Sequence, residues 1–243
     1  QPLRRALGIQ GVNMYNEDIK ELLEHSKNEV NAIAEQSKQG TINKIAVKNV
    51  LENLRSILDY HSQDILNVLK AKVSNKKLPN KVYFPYGQKE NHFKNSVKNN
   101  LPSLNEVLPE AYQLLESIQP FKSKDNWVVD LCSLTNEAKH NNLSKTKKQK
   151  SVSIRQGNFI HIDGATNVVL ENNYVNGQRL DDVYVNNNHE VRIVKHSGTT
   201  LITENNKIKF DGKEIEVAPF LRQCHSKIEQ FSSELSQILH KNA

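Results

Sequence analysis

The chain has 243 residues, 37% of them hydrophobic and 25% charged, with a formal net charge of +6 at pH 7. That length accommodates one large domain or two small ones, with a real hydrophobic core. No apolar run approaches the ~20 residues that a membrane-spanning helix needs, and Gln1-Pro-Leu-Arg-Arg5 lacks the apolar stretch of a secretory signal, so a cytoplasmic protein with no membrane partner is expected.

The first half carries helical periodicity. Amphipathic segments are predicted from about Tyr15 to Ser37 and from about Ile42 to Val73, with Gly40 breaking one from the other as in an antiparallel hairpin. Lys81-Val-Tyr-Phe-Pro-Tyr-Gly87 is aromatic and extended, and Pro85 keeps it out of a central strand, so it is expected to lie across the helices as a packed loop. Shorter helices are expected around Asn91 to Lys98, Pro109 to Gln119 and Asp125 to Asn142.

Lys139, Lys145, Lys147, Lys148 and Lys150 then follow one another without an intervening acid. A charge run of this kind reads as a solvated hinge, with phosphate contact as the alternative. The abundance of lysine and asparagine is also what an AT-rich genome produces.

Beyond the run the periodicity changes to two. Short strands are predicted at Ser151 to Ile162, Asn167 to Leu170, Asp182 to Val185, Glu190 to Lys195, Ile208 to Phe210 and Glu214 to Val217. Asn172-Asn173, Asn176-Gly177, Asn187-Asn188, Ser197-Gly198 and Asp211-Gly212 mark the turns between them. The spacing argues for an antiparallel meander or small barrel, and Asp211-Gly212 for a two-residue hairpin turn. A last helix follows Pro219, where Leu221, Cys224, Ile228, Phe231, Leu235 and Ile238 form a seam. The seam either returns to the helical half or joins a second copy.

The expected architecture is therefore α+β: a helical bundle over residues 1–145, a β domain over 146–217 and a C-terminal helix over 218–243.

Candidate chemistry lies in two helices. In the first, Leu51, Leu54, Leu58, Ile65 and Val68 draw an apolar stripe that contains His61. Arg55 and Asp59 sit one turn apart on one flank, placed for an exposed intrahelical ion pair worth a few tenths of a kcal/mol. In the second, Trp127, Leu131, Leu134 and Ala138 make one apolar line, and Val129, Cys132 and Leu143 make another that contains Asn136 and His140. A buried imidazole or carboxamide without a partner costs about 1–3 kcal/mol, so these groups either satisfy one another or open onto a polar cleft. Cys132 and Cys224 stand outside any CxxC or Cys-His cluster and read as reduced core thiols, with a bridge between them as the alternative. His189 and His196 read as surface residues. Metal and cofactor are not expected, and no phosphate-binding, nucleotide-binding or nucleophile-elbow motif is present.

Leu51 to His61 (LxNLRxxLDxx), Tyr83-Phe84-Pro85, Tyr112 to Phe121 and Leu131 to Leu143 (LxxLxNxxKHxxL) together resemble a set of bacterial helical proteins related to the HEPN domain, over about residues 45–143. The resemblance implies a helical bundle, often dimeric, sometimes an RNA-cleaving toxin or defence effector. HEPN ribonucleases act without metal through an arginine followed by four to six residues and a histidine, a spacing that Arg55 to His61 matches. In that chemistry the guanidinium would stabilise the phosphorane and the imidazole would move a proton. Arg155 to His161 matches the spacing as well. Ser56 stands where active members carry Asn, Asp or His, and Ala138 and Asn141 replace the acid and base beside the histidine.

The first functional expectation is thus a non-enzymatic interaction or accessory module, tied to defence or stress, with RNA, a protein or a second copy as its partner. The second is a metal-independent ribonuclease using Arg55, His61 and His140. Asp59, Asn136, Lys139, Lys145, Lys147 and Lys148 are the expected binding residues.

Overall fold

A computed structural model describes residues 16–73, 78–140 and 145–242, with the His140 side chain outside the description. The predicted reach of the fifth helix to Asn142, and with it Leu143, falls outside the described residues. Two units divide the fold: one gathers 16–31, 45–140 and 219–242, the other 32–44 and 145–218.

The helical unit is built on α1 (Glu17–Lys38), α2 (Lys44–Lys72), α3 (Glu90–Asn100), α4 (Leu104–Val107), α5 (Pro109–Ser117), α6 (Pro120–Ser123), α7 (Trp127–His140) and α8 (Val217–Asn242). Its core follows the apolar spacing read above: Leu51, Leu54, Leu58 and Ile65 of α2 are fully buried, as are Leu131 of α7 and Leu221, Ile228 and Leu235 of α8. The α8 seam is thus occupied within the chain. His61 pairs with Ser232 and Lys72 with Asn242, so α2 and α8 run side by side in the same direction. His225 of α8 bonds the Leu23 carbonyl of α1 at 2.9 Å. None of the described helices is long and apolar enough to cross a membrane.

Asp125 fastens α7 to α8. One of its oxygens accepts the Trp127 N–H at the start of α7 (3.1 Å), and the other accepts Lys227 (2.6 Å) and Gln223 (2.9 Å). Asp125→Ala should lower unfolding free energy by about 1–2 kcal/mol in urea titration, the combined worth of a helix-start acceptor and a half-exposed ion pair. A change of a few tenths would mean that the fastening is cosmetic.

In the second unit, α1 ends in a Schellman turn: Gly40 has φ +72°, its N–H bonds the Ser37 carbonyl at 2.9 Å, and Thr41 N–H reaches Gln36 at 3.1 Å. The strands are β1 (Thr146–Gln156), β2 (Ile160–Ile162), β3 (Val168–Leu170), β4 (Tyr174–Val175), β5 (Gln178–Arg179), β6 (Asp182–Val185), β7 (Val191–Val194) and β8 (Thr200–Phe210). They form antiparallel sheets ordered β2-β1-β8, β3-β6-β7 and β4-β5. Val152 and Ile154 of β1 meet Ala165 and Val183 and Val185 of β6 in one shared core.

Four sequence expectations change here. The strands do not close into a barrel: most have only two to four residues, too short to tilt and shear into closure. The lysine run is a strand in its second part: Lys147, Lys148 and Lys150 lie in β1, which pairs with β8 from Thr146↔Phe210 to Gln156↔Thr200, while the boundary between the two units falls within the run, between Lys139 and Lys145. Alternation fails to reveal this stretch because much of the ladder is polar on both faces and is held by backbone bonds. Glu214 to Val217 is not a strand either. A single bridge, Lys209↔Glu216, follows the Asp211-Gly212 turn before Val217 opens α8. At that turn only Gly212 has positive φ, whereas Asn176 and Gly177 both do, so the two-residue turn is the one joining β4 to β5.

Candidate functional site

Helices α2 and α7 lie against each other: Thr135 Oγ1 donates across to the Leu51 carbonyl at 3.2 Å. From this contact the polar groups of both helices, together with the aromatic loop, assemble one cluster. The Arg55 guanidinium donates to Asp59 Oδ1 at 3.1 Å and to Cys132 Sγ, and it lies 5.1 Å from the centre of the Tyr86 ring. Asp59 Oδ1 also accepts the Phe84 N–H at 2.7 Å. The loop is pinned further by Gly87 N–H to Gln119 Oε1 (3.1 Å) and Tyr83 N–H to Asn100 Oδ1 (3.0 Å).

Electrostatics follow from burial. The Arg55 and Asp59 side chains are only 13% and 26% exposed, so their pair is less screened than the exposed flank read from the helical wheel. Burial pushes the Cys132 thiol up to about 11, leaving it neutral at ordinary pH. Asp59 is therefore the anion that balances Arg55. Burial also raises the Tyr86 hydroxyl, while a hydrogen bond to Asn136 acts in the opposite direction.

His61 does not belong to this cluster. It is 1% exposed, its Nε2 lies 2.7 Å from Ser232 Oγ, and its ring meets Phe231 edge-on at 5.6 Å. Phe231 in turn meets Phe84 at 5.7 Å. Burial lowers the His61 pKa to about 4, so the ring is neutral at pH 7. Asn136 differs from its expected place on a packed face. It is exposed, because the buried arc of α7 runs through Val128, Leu131, Cys132 and Thr135, and Asn136 sits at its edge. Lys139 is exposed, and the His140 side chain lies outside the described residues.

Lys145, Lys147 and Lys148 gather elsewhere, in the β unit. Lys145 gives its carbonyl to the Asp211 N–H at 2.9 Å, while Lys147 and Lys148 are exposed on β1. A cleft of about 460 Å³ is lined by Lys147, Lys148, Gln149, Lys209, Lys213 and Glu214, among others. Lys209 pairs with Glu214, and Lys207 with Glu216 at 3.1 Å.

A second polar knot in this unit carried no sequence signal. Asp181 is 1% exposed and accepts N–H groups from His196 (2.7 Å), Ser197 (2.8 Å), Gly198 (3.0 Å) and Thr200 (3.3 Å). Burial opposes its ionisation, yet these donors outweigh burial and hold the carboxyl well below the usual carboxylate range. Beside it, Asp182 accepts Asn172 N–H and pairs with Arg179 and His196, so His196 lies at the surface as expected and also clasps Asp182. Among the described residues no three His, Cys, Asp or Glu side chains gather where they could hold a metal ion. No known family profile, curated protein or solved structure matches the chain.

Proposed function

We propose that this chain is a non-enzymatic, HEPN-like interaction module that takes RNA or a protein as its partner, with defence or stress as its setting. The observation that carries the reading is the seal around His61: an imidazole enclosed by Ser232, Phe231 and its own helix can neither reach a 2′-hydroxyl nor exchange its proton with a substrate. Arg55 faces a different set of neighbours, Asp59, Cys132 and Tyr86, and acts as a brace between α2, α7 and the aromatic loop. HEPN kinship rests on the motifs of residues 45–143. The two departures beside Arg55 and His140 favour the non-enzymatic reading over the ribonuclease one.

The test is incubation of the purified protein with mixed RNAs in EDTA. RNA should remain intact, or be degraded equally by wild type and His61→Ala. Cleavage that disappears in both His61→Ala and Arg55→Lys, with each variant still folded by circular dichroism, would establish the ribonuclease instead.

A further inference from the structure

The long β1–β8 ladder presents one face to the shared core and the other outward. Val152, Ile154 and Ile202 take the inner side. Their odd-numbered neighbours, cross-strand partners by register, make the outer one: Lys147 with Lys209, Gln149 with Lys207, Ser151 with Asn205, Ser153 with Thr203, and Arg155 with Leu201. Eleven residues of antiparallel strand extend about 34–37 Å. Along that length the face changes character. Three lysines and the cleft occupy one end, hydroxyls and carboxamides the middle, and an arginine with exposed apolar groups the other end. There Leu201 is 59% exposed, and Phe159, in the turn between β1 and β2, is 67% exposed. Arg155 is held open beside it by the Gly157 carbonyl (3.2 Å) and Asn158 Oδ1 (3.3 Å).

We propose that this outer face is a binding strip for single-stranded nucleic acid, with phosphates at Lys147, Lys207 and Lys209 and a base stacked on Phe159. The proposal rests on the interaction-module reading and names its partner. Positive charge tracks a sugar-phosphate backbone, and an open aromatic ring stacks a base whatever its identity, a combination that favours single strands over duplex. The hydroxyl and carboxamide middle supplies donors and acceptors for base edges. Glu214 and Glu216 hold Lys209 and Lys207 where phosphates would bind. Glu214 is 90% exposed and Lys207 49%, against 20% for Lys209, and partly exposed ion pairs of this kind are weak and exchange for a phosphate.

Fluorescence anisotropy on the full chain tests it, using labelled oligonucleotides of about twelve residues as RNA, as DNA of the same sequence and as blunt duplex, with heparin as a base-free polyanion. Either single strand should bind more tightly than the duplex, and the tighter of the two names the natural ligand. Lys147→Gln with Lys207→Gln should weaken binding about tenfold and flatten the logarithmic salt slope by about 1.4, roughly 0.7 for each phosphate contact. Phe159→Ala should weaken binding by about fivefold or more and leave the slope unchanged. Glu214→Gln with Glu216→Gln should tighten it. No binding at low salt, equal affinity for heparin and single strands, or indifference to Phe159→Ala would overturn the strip. The DNA arm lacks the 2′-hydroxyl that a HEPN-type cleavage needs, so failure of the strip is distinguishable from failure of the non-enzymatic reading.

Discussion

Stability should fall by about 3 kcal/mol as pH drops from 6.5 to 4, through His61 alone. Burial lowers the folded-state pKa to about 4 from an ordinary 6.5. Within that window the unfolded chain takes up a proton that the folded chain refuses, so acid favours unfolding. Above pH 6.5 the contribution is present in full; below 4 both states carry the proton and no more is lost. Carboxylates also titrate in this range, so the measurement is a difference: urea unfolding at a series of pH values for the wild type and His61→Gln. The variant retains a group able to bond Ser232 but has no imidazole. Its stability should vary less with pH between 6.5 and 4. Parallel curves for the two proteins would show that the imidazole is not sealed.

Asp59→Ala should cost about 2–3 kcal/mol, more than a surface carboxylate is worth. Removing it leaves the largely buried Arg55 cation facing a neutral thiol and an aromatic ring, and strips the Phe84 N–H of its acceptor. The backbone donor is still there in the Asp59→Ala variant, whereas the cation can be removed by a second substitution. Arg55→Met should therefore cost less in an Asp59→Ala background than in the wild type, with a coupling of about 1 kcal/mol or more from the four urea curves of a double-mutant cycle. Additive effects would refute the view that the two residues brace one joint.

What the sequence revealed follows from which interactions are local. Apolar residues at steps of three and four placed α1, α2, α5, α7 and α8 because a helix buries one stripe of itself. The same arithmetic put Arg55 and Asp59 together and His61 on the opposite edge of α2, as the structure shows. It could not show that Asp59 also accepts from Phe84, since a backbone N–H leaves no mark on residue type. Nor could it show that His61 meets Ser232, 171 positions away. The lysines of β1 concealed a strand because pairing with β8 depends on main-chain groups and not on alternation. Asp181 escaped notice for the same reason: its partners are the N–H groups of a tight turn. The short helices α4 and α6 contain a single turn each and offer no periodicity to read.

Because the strands lie in the chain between α7 and α8, the helical unit is assembled from segments that leave the ribosome far apart in time. Until residues 219–242 emerge, His61 and Phe84 lack Ser232 and Phe231, and α2 presents a bare greasy flank. Vectorial synthesis thus makes closure of the N-terminal helices wait for α8. Nascent chains arrested before α8 would be clients for chaperones and proteases.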